Sequence, residues 1–317
     1  MGIRRGRMTL PHSVDVSVIV VTWNTRDLVL KCLTSLSRAG PQAVEIIVVD
    51  NGSSDGTADA VERMFPQVRT LRNMSNQGFA AAVNLGIAQA RGRIFFLLNP
   101  DTEVESGVFD ALLAFFDDHP KAGIAGPPVI GPGGEFERST RRFPSAISEI
   151  TRMAMLHRLL PGPERRWNAC GIPVRVDAVT GAAMAVRRQC VAQTGGMDPG
   201  FFLYYEDTDW CFRAAKAGWE TWFVPGPPVR HIKSAAAAQA REMTLVASHA
   251  SLVYYFTKHG MKGHLPFLRL GMLPACAMRS IAAAAAWTLG IKRPDQASRL
   301  RAYGKIAAWA AFGRALK

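Results

Sequence analysis

The feature that most constrains the fold of this chain is a strict alternation of β-branched apolar runs with helical patterns. The apolar runs occupy residues 16–21, 45–49, 68–71 and 93–98, and helical patterns fill residues 26–39, 56–65, 78–91 and 106–118. Strands and helices that alternate in this way form βαβ units, whose strands pair in parallel. The sequence therefore predicts an α/β fold with a mostly parallel central sheet flanked by helices.

Beyond these units the pattern becomes less regular. Residues 126–144 are rich in Gly and Pro and predict loops with a short hairpin. Residues 145–172 show no clean period and are assigned to loops, while residues 174–188 predict a strand, a turn and a second strand. A helix at 206–217 then leads into a strand at 220–224.

The net charge of +13 is concentrated at the two ends of the chain. Three arginines precede the first strand, and eleven Lys and Arg follow Glu242 against the single acid Asp295. An enzyme of nucleic acids more often carries its basic patch across the catalytic domain, whereas basic flanks interleaved with apolar residues suit an anionic membrane surface. We therefore expect no nucleic-acid partner.

The C-terminal region is Ala-rich and helix-forming from about residue 236. Residues 271–291 are long enough to cross a bilayer, which takes about 20 apolar residues, but Pro274 and Arg279 lie inside this stretch. An interfacial helix or helical hairpin on the membrane surface fits better, and an ordinary soluble helical subdomain is the alternative. The expected organisation is a basic tail at 1–15, a catalytic domain at 16–235 and a membrane-associated helical region at 236–317.

The compartment is indicated by the cysteines and by the N-terminus. The cysteines are odd in number and have no metal-type spacing, which is typical of reduced thiols: Cys32, Cys170, Cys190, Cys211 and Cys276. The N-terminal arginines are not followed by a long apolar segment, so we expect no signal peptide. A cytoplasmic protein attached peripherally to the inner face of the cell membrane is predicted.

Two acidic motifs are candidates for a functional site. Residues 201–219 place Glu206, Asp207 and Asp209 among aromatic side chains at the start of a helix, where burial and mutual repulsion raise a carboxyl pKa toward the range of a general base. The alternative is that these acids face the helix dipole. Asp101 and Glu103 follow an apolar strand, at the strand end where open α/β sheets bind ligands.

These motifs, in this order, resemble those of the family 2 glycosyltransferases, and most closely the rhamnosyltransferase-like branch. The matching segments are VSVIVVTWN (16–24), VVDNGSSDGT (48–57), NQGFAAAVNLGI (76–87), LLNPDT (97–102), GAAMAVRR (181–188), GGMDPGFFLYYEDTDWCFRAAKAGW (195–219) and the later His231. The resemblance implies a GT-A fold, an inverting mechanism and a nucleotide-diphosphate sugar donor. It favours dTDP-rhamnose, with UDP-hexose galactosyl or glucosyl transfer as the alternative, and a hydroxyl of a glycan or lipid-linked glycan as acceptor.

The resemblance also implies a donor site. Asp50 would bind the pyrimidine ring, Thr22 and Asn24 would line the base and ribose pocket, and further residues would follow the nucleotide and diphosphate: Asn76, Gly78, Phe79 and Asn84. For Asn84, a helix-packing role is an equal alternative.

A divalent metal, Mg²⁺ or Mn²⁺, is expected at the analogue of the family's DxD motif, where Asn99 replaces the first acid and Asp101 is the principal ligand. Glu103 would be a second ligand or a helix cap. His231 corresponds to a metal-binding histidine of the family, although a lone histidine is more often a surface or packing residue.

For the chemistry, the resemblance makes Asp207 the general base that deprotonates the acceptor hydroxyl. Glu206 and Asp209 would support it or bind the acceptor, and Gly181 and Ala182 would leave room for the sugar. Two other classes of protein are alternatives. A nucleotidyltransferase is disfavoured by the downstream position of the acidic cluster, and an inactive sugar-binding module by the presence of all the expected reactive side chains.

Overall fold

The structure is a computed structural model that describes residues 14–39, 44–155, 171–232, 241–288 and 296–313. Several predictions concern residues outside this part of the chain: nearly all of the basic tail at 1–15, the boundary between 235 and 236, residues 289–291 of the apolar stretch, and Cys170. The cysteines inside it are buried free thiols, as expected: Cys32, Cys190, Cys211 and Cys276.

The N-terminal half forms the predicted parallel sheet. Its strands are β1 (Val16–Thr22), β2 (Val44–Asp50), β3 (Arg69–Arg72) and β4 (Ile94–Leu98), and they lie in the order β3-β2-β1-β4. The connecting helices are α1 (Arg26–Ala39), α2 (Thr57–Met64) and α3 (Phe79–Gln89). Every residue of β1 and β4 is buried, because helices cover both faces of the sheet.

The second half adds mixed strands to this sheet. After α4 (Val108–Asp118), the new strands are β6 (Ala122–Gly126), β9 (Val174–Val176), β11 (Ala183–Arg187) and β12 (Glu220–Phe223), which complete the order β3-β2-β1-β4-β11-β6-β12-β9. Strand β11 is antiparallel to both of its neighbours, β4 and β6, and β9 is antiparallel to β12. The prediction of an α/β fold with a mostly parallel sheet is confirmed.

Two small sheets stand at the carboxyl ends of the parallel strands. One contains β5 (Thr102–Val104), β7 (Val129–Ile130) and β13 (Val229–His231), and the other pairs β8 (Thr140–Arg141) with β10 (Ala178–Val179). Residues 174–188 thus contain three strands, each paired with a different partner, instead of the predicted two. The short hairpin expected in 126–144 is present as an antiparallel bridge between Ile130 and Phe136.

The prediction of loops at 145–172 is wrong for its first part. Residues Ala146–Met153 form helix α5, which Ser145 and Ser148 begin with a reciprocal capping box. A serine at the third helical position is a weaker signal than the usual Glu or Gln, so the helix start is hard to recognise from the sequence. Residues 156–170 lie outside the described part of the chain.

The remaining helices are α6 (Arg188–Thr194), α7 (Glu206–Lys216), α8 (Arg241–Lys258), α9 (His264–Thr288) and α10 (Gln296–Phe312). Helices α8, α9 and α10 enclose an apolar cluster that also contains Phe201, Tyr205 and the α5 residue Met153. The C-terminal helices therefore share a core with the loop that precedes α7.

Candidate active site

A cleft of about 560 Å³ opens at the carboxyl ends of the parallel strands. It collects side chains from the end of β4, from β13, from the turn before β11 and from the start of α7. Half of the predicted site residues line it: Phe79, Asn99, Asp101, Gly181, Ala182, Glu206, Asp207 and His231. Residues separated by more than a hundred positions in the sequence thus meet in one cleft.

Asp207 lies in the first turn of α7 and is 5% exposed. Its Oδ2 accepts a hydrogen bond of 3.0 Å from the Gly181 backbone N–H, and its Oδ1 accepts one of 2.6 Å from the Thr208 backbone N–H. The Arg141 guanidinium lies 3.9 Å from Oδ1. These contacts orient the carboxylate toward the cleft, and the helix N-terminus places positive potential next to it.

The backbone that leads into α7 is strained. Tyr204 and Tyr205 have φ values of 67° and 68°, in the left-handed region that non-glycine residues rarely occupy. Each such residue costs about 1–3 kcal/mol and persists only where its surroundings hold it. Here the Tyr205 ring is buried in the apolar cluster of the C-terminal helices, and its hydroxyl donates to Glu149 at 3.0 Å. This packing sets the direction in which α7 presents its first residues.

Glu206 is a buried acid beside Asp207. Burial, and secondarily the charge of Asp207, raises the pKa of Glu206 to about 8. Its Oε2 has no hydrogen-bond partner among the described residues. The raised pKa favours the protonated form of Glu206, next to the Asp207 side chain in the cleft.

The raised pKa of Glu206 predicts a pH-dependent stability. Between its ordinary value of 4.5 and about 8, the folded protein keeps this proton and the unfolded chain releases it. The stabilising effect is complete below 4.5 and is lost as the pH rises to about 8. When the melting temperature is measured over a range of pH, Glu206→Gln should flatten this decline. Glu135→Gln, at an exposed position of the hairpin, should not. Parallel curves for wild type and Glu206→Gln would refute the assignment.

Asp209 is placed differently from the prediction. Its side chain is fully buried and binds Arg213 at 2.8 Å, Lys258 at 2.7 Å and His259 at 2.9 Å. Helical geometry accounts for the difference, because a residue two positions after Asp207 points to another side of α7. Asp209 joins α7 to the end of α8, and the expected contact with the acceptor or the base is corrected to this structural role.

Asp101 and His231 meet because β13 pairs antiparallel with β5, which places His231 opposite Thr102. His231 Nε2 lies 3.2 Å from Asp101 Oδ1, and His231 Nδ1 lies 3.1 Å from Glu137 Oε2. Burial lowers the pKa of His231, but hydrogen bonds and charges from the two carboxylates outweigh it and leave this pKa raised. Sequence reasoning missed Glu137, which comes from the loop after the hairpin and carries no motif.

The Asp101–His231 pair fits a divalent metal in part. Two ligands about 2.1 Å from one ion and at right angles to each other are about 3 Å apart, which is close to the observed separation. Glu137 would hold the imidazole in place from the other nitrogen. Within the described ranges no cluster of three His, Cys, Asp or Glu side chains is arranged to hold an ion alone. Phosphate and water oxygens would complete such a site, as is usual for Mg²⁺.

Glu103 does not join this pair. A turn at Pro100–Asp101 precedes β5, so the two-residue spacing does not bring Asp101 and Glu103 to the same side. Glu103 lines a separate cleft with Arg38 and Arg230. Its predicted role as a metal ligand is therefore corrected, and Asn99 stays in the main cleft.

The predicted base pocket lies at the ends of β1 and β2. Thr22 and Asp50 are register partners, and both are buried. Asn24 Oδ1 accepts a hydrogen bond of 2.8 Å from the Ser54 backbone N–H and so joins the two loops. Asp50 Oδ1 is buried without a hydrogen-bond partner in the described part of the chain.

Asn51 supports the neighbouring loop and was not singled out from the sequence. Its amide donates to Asn76 Oδ1 at 2.9 Å and to the Gly78 carbonyl at 3.2 Å. Gly52 has a φ of 82°, and a Cβ there would lie 2.7 Å from the Ser75 Cα. Only glycine allows the two loops to approach this closely.

Asn84 contacts protein on both sides of its amide. It donates to the Met197 carbonyl at 2.7 Å and accepts from the Met197 backbone N–H at 2.9 Å. Of the two alternatives for this residue, the structure favours helix packing, because both polar ends are already used.

The architecture and the cleft define the class of protein. A mixed sheet with an antiparallel strand inserted beside β4, and an acidic cleft at the carboxyl ends of its parallel strands, is the GT-A arrangement of glycosyltransferases. The family model described as "Glycosyl transferase family 2" matches residues 17–187, which is more than half of the chain. The chain belongs to glycosyl transferase family 2 and is a glycosyltransferase.

The relatives agree with this assignment. The chain is 31% identical to the N-acetylglucosaminyl-diphospho-decaprenol L-rhamnosyltransferase of Mycobacterium tuberculosis, over 83% of this chain and 91% of that protein. Its structure is similar to that of the Pyrobaculum calidifontis mannosyltransferase PcManGT in complex with GDP-Man and Mn²⁺, with a TM-score of 0.53, 19% identity, and coverage of 96% of this chain and 89% of the other. GalNAc-T7 with UDP, GalNAc and Mn²⁺ gives a TM-score of 0.56 and 20% identity over 76% of this chain and 48% of that one. These two structural similarities show that this chain has the same fold as the two transferases.

Proposed function

We propose that this glycosyltransferase transfers rhamnose, with inversion, from a nucleoside-diphosphate donor to a hydroxyl of a lipid-diphosphate-linked glycan. The choice of sugar and acceptor rests on the mycobacterial rhamnosyltransferase, which resembles the chain over most of its length. The observation that carries the mechanism is the position of Asp207, buried in the same cleft as the Asp101–His231 pair.

In this mechanism Asp207 takes the proton of the acceptor hydroxyl as its oxygen attacks the anomeric carbon. The Gly181 N–H holds Oδ2 in place, and the raised pKa of Glu206 makes that neighbour the weaker candidate for the base.

The donor would lie across the strand ends. Asp50 would accept a hydrogen bond from the pyrimidine base with its unpaired oxygen, and Asp101 and His231 would hold a divalent ion on the diphosphate. When bound, such an ion supplies positive charge that stabilises the departing nucleoside diphosphate. Both structural neighbours were solved with Mn²⁺, and an imidazole beside a carboxylate suits Mn²⁺ as well as Mg²⁺.

A panel of donors tests this proposal. The purified full-length protein would be given dTDP-rhamnose, UDP-galactose, UDP-glucose and GDP-mannose with a short-chain polyprenyl diphosphate N-acetylglucosamine acceptor, and the products analysed by mass spectrometry. Rhamnosyl transfer with inverted anomeric configuration, determined by NMR, is the expected result. Efficient hexosyl transfer from UDP without rhamnosyl transfer would replace rhamnose by the hexose.

We also propose that helix α9 attaches the protein to the inner face of the cell membrane. Among the described residues α9 is the one helix long and apolar enough to cross a bilayer, and 17% of its apolar window is buried in the protein. An exposed stripe runs along it at helical spacing: Phe267, Leu270, Pro274, Met278 and Ile281. The opposite face of α9 packs in the apolar cluster, so a helix lying on the surface of the membrane fits this arrangement.

Removing apolar side chains from this stripe should release the protein from membranes. The triple variant Phe267→Ser/Leu270→Ser/Ile281→Ser replaces three side chains that are 67%, 73% and 69% exposed. It removes their contact with lipid and preserves the fold. Each is worth about 1.5–3 kcal/mol if fully buried, so partition onto anionic vesicles should fall by about 100-fold or more. The matched control is Met64→Ser on α2, 55% exposed. Wild-type protein that stays in the supernatant at low salt with such vesicles would overturn the membrane proposal.

A further inference from the structure

An arginine-rich groove of about 470 Å³ adjoins the catalytic cleft. Its walls come from the segment between β8 and α5, from α5 itself and from α8. Four arginines line it against one acid, Glu149: Arg138, Arg141, Arg142 and Arg152. Arg138, Arg141 and Tyr204 line the cleft as well, so the groove and the cleft are contiguous.

The acid in the groove is neutralised within the protein. Glu149 is buried and accepts hydrogen bonds from Arg152 Nε at 2.8 Å and from the Tyr205 hydroxyl at 3.0 Å. Arg152 therefore balances Glu149. Arg142 is exposed, and Arg141 lies 3.9 Å from the Asp207 carboxylate. The arginines that line the groove thus extend to the proposed base.

Two of the four arginines lie apart from the pair assigned to the donor. The donor diphosphate is assigned to Asp101 and His231, whereas Arg142 and Arg152 line the groove beyond Tyr204. Guanidinium groups bind phosphate oxygens in pairs and with charge assistance, which makes several of them in one groove a site for a polyanion. A second phosphate-bearing ligand, distinct from the donor, is the chemistry that this groove fits.

We infer that the groove binds the diphosphate of the lipid-linked acceptor, an inference that rests on the proposed function. A diphosphate diester is dianionic and suits a groove that is lined by four arginines and one acid. The sugar attached to it would extend past Tyr204 into the cleft, where its hydroxyl meets Asp207. The lipid would leave along α8, which contributes Thr244, Leu245 and Ser248 to the groove and belongs to the same bundle as α9.

The inference predicts selectivity for a diphosphate over a monophosphate acceptor, and Arg142 is the residue with which to test it. Its side chain is exposed, so Arg142→Gln should leave the fold unchanged. Loss of one charge-assisted contact should raise the acceptor KM by about 10- to 100-fold, with kcat and the donor KM nearly unchanged. Arg142→Lys should recover part of the effect, and Arg63→Gln, at an exposed site of α2, is the matched control.

The experiment compares two soluble acceptors, short-chain polyprenyl diphosphate and polyprenyl monophosphate, each carrying N-acetylglucosamine. The wild type should have a lower KM for the diphosphate, and Arg142→Gln should reduce this ratio. If the wild type transfers sugar and Arg142→Gln keeps the same ratio of the two KM values, the groove assignment is wrong and the proposed function stands. A rise in the donor KM, or a loss of kcat at unchanged acceptor KM, would also overturn it. A wild type that transfers rhamnose to neither acceptor would remove the proposed function and the inference with it.

Discussion

Asp207→Asn is expected to reduce glycosyl transfer by about 10²- to 10⁴-fold while donor binding stays close to that of the wild type. The amide has nearly the shape of the carboxylate and can still accept the hydrogen bond from the Gly181 N–H, but it cannot take a proton from the acceptor. Single-turnover transfer and calorimetric titration of the nucleoside diphosphate measure the two quantities separately.

The matched control for this variant is Asp110→Asn. Asp110 is also an acid in the first turn of a helix, but it is exposed on α4. Transfer by Asp207→Asn within a few-fold of the wild type would move the base elsewhere in the cleft. Glu206 would then be the candidate, and the activity would rise with pH as that acid loses its proton near pH 8.

Asp101→Ala is expected to remove most of the divalent-metal dependence of donor binding, and His231→Ala to weaken it in the same way. Each variant removes one side of the pair that is 3.2 Å apart. Glu137→Gln should have a smaller effect, about 10- to 100-fold in metal affinity, because Glu137 orients the imidazole from the other nitrogen. Titration of the nucleoside diphosphate with and without Mn²⁺ would give this order directly.

Glu103→Ala is the control for this series, since Glu103 lies two positions after Asp101 but lines a different cleft. Metal-dependent binding should be unchanged in this variant. If His231→Ala also kept its Mn²⁺-dependent binding, the histidine would have a structural role between Asp101 and Glu137, and the metal proposal would rest on Asp101 alone.

The parallel half of the sheet could be predicted because its signals are local. Each strand from β1 to β4 is an apolar run next to an amphipathic helix, and one short window of sequence suffices to recognise it. The residues that line the cleft at the ends of these strands could be expected for the same reason. The resemblance to family 2 then identified residues from distant parts of the chain, of which Asp101, Asp207 and His231 do meet in the cleft.

The parts that could not be predicted depend on long-range packing. Asp209 looks like its neighbours in the sequence, but the partners that determine its role come from α7 and the end of α8. Glu137 becomes a neighbour of His231 only through the pairing of β13 with β7 and β5. The Asp101–Glu103 spacing is a similar case, because the turn before β5 changes which side each acid faces.

The C-terminal helices show the same limitation on a larger scale. Composition changes near residue 236, which favoured a separate region after the catalytic domain. In the structure Phe201 and Tyr205 are buried in the apolar cluster of α8, α9 and α10. The apolar core therefore continues across this change in composition.

The shared core has a practical consequence for anyone who prepares this enzyme. A protein shortened after residue 235 would expose Phe201 and Tyr205, whose full burial is worth about 1.5–3 kcal/mol per large apolar side chain, and would release the left-handed backbone that aims α7. Detergents that swell the helical bundle would act on the same backbone and inactivate the enzyme without entering the cleft. Under the proposed membrane attachment, lipid nanodiscs are the better medium for assays and inhibitor screens, and a loss of activity in detergent that nanodiscs restore would identify this cause.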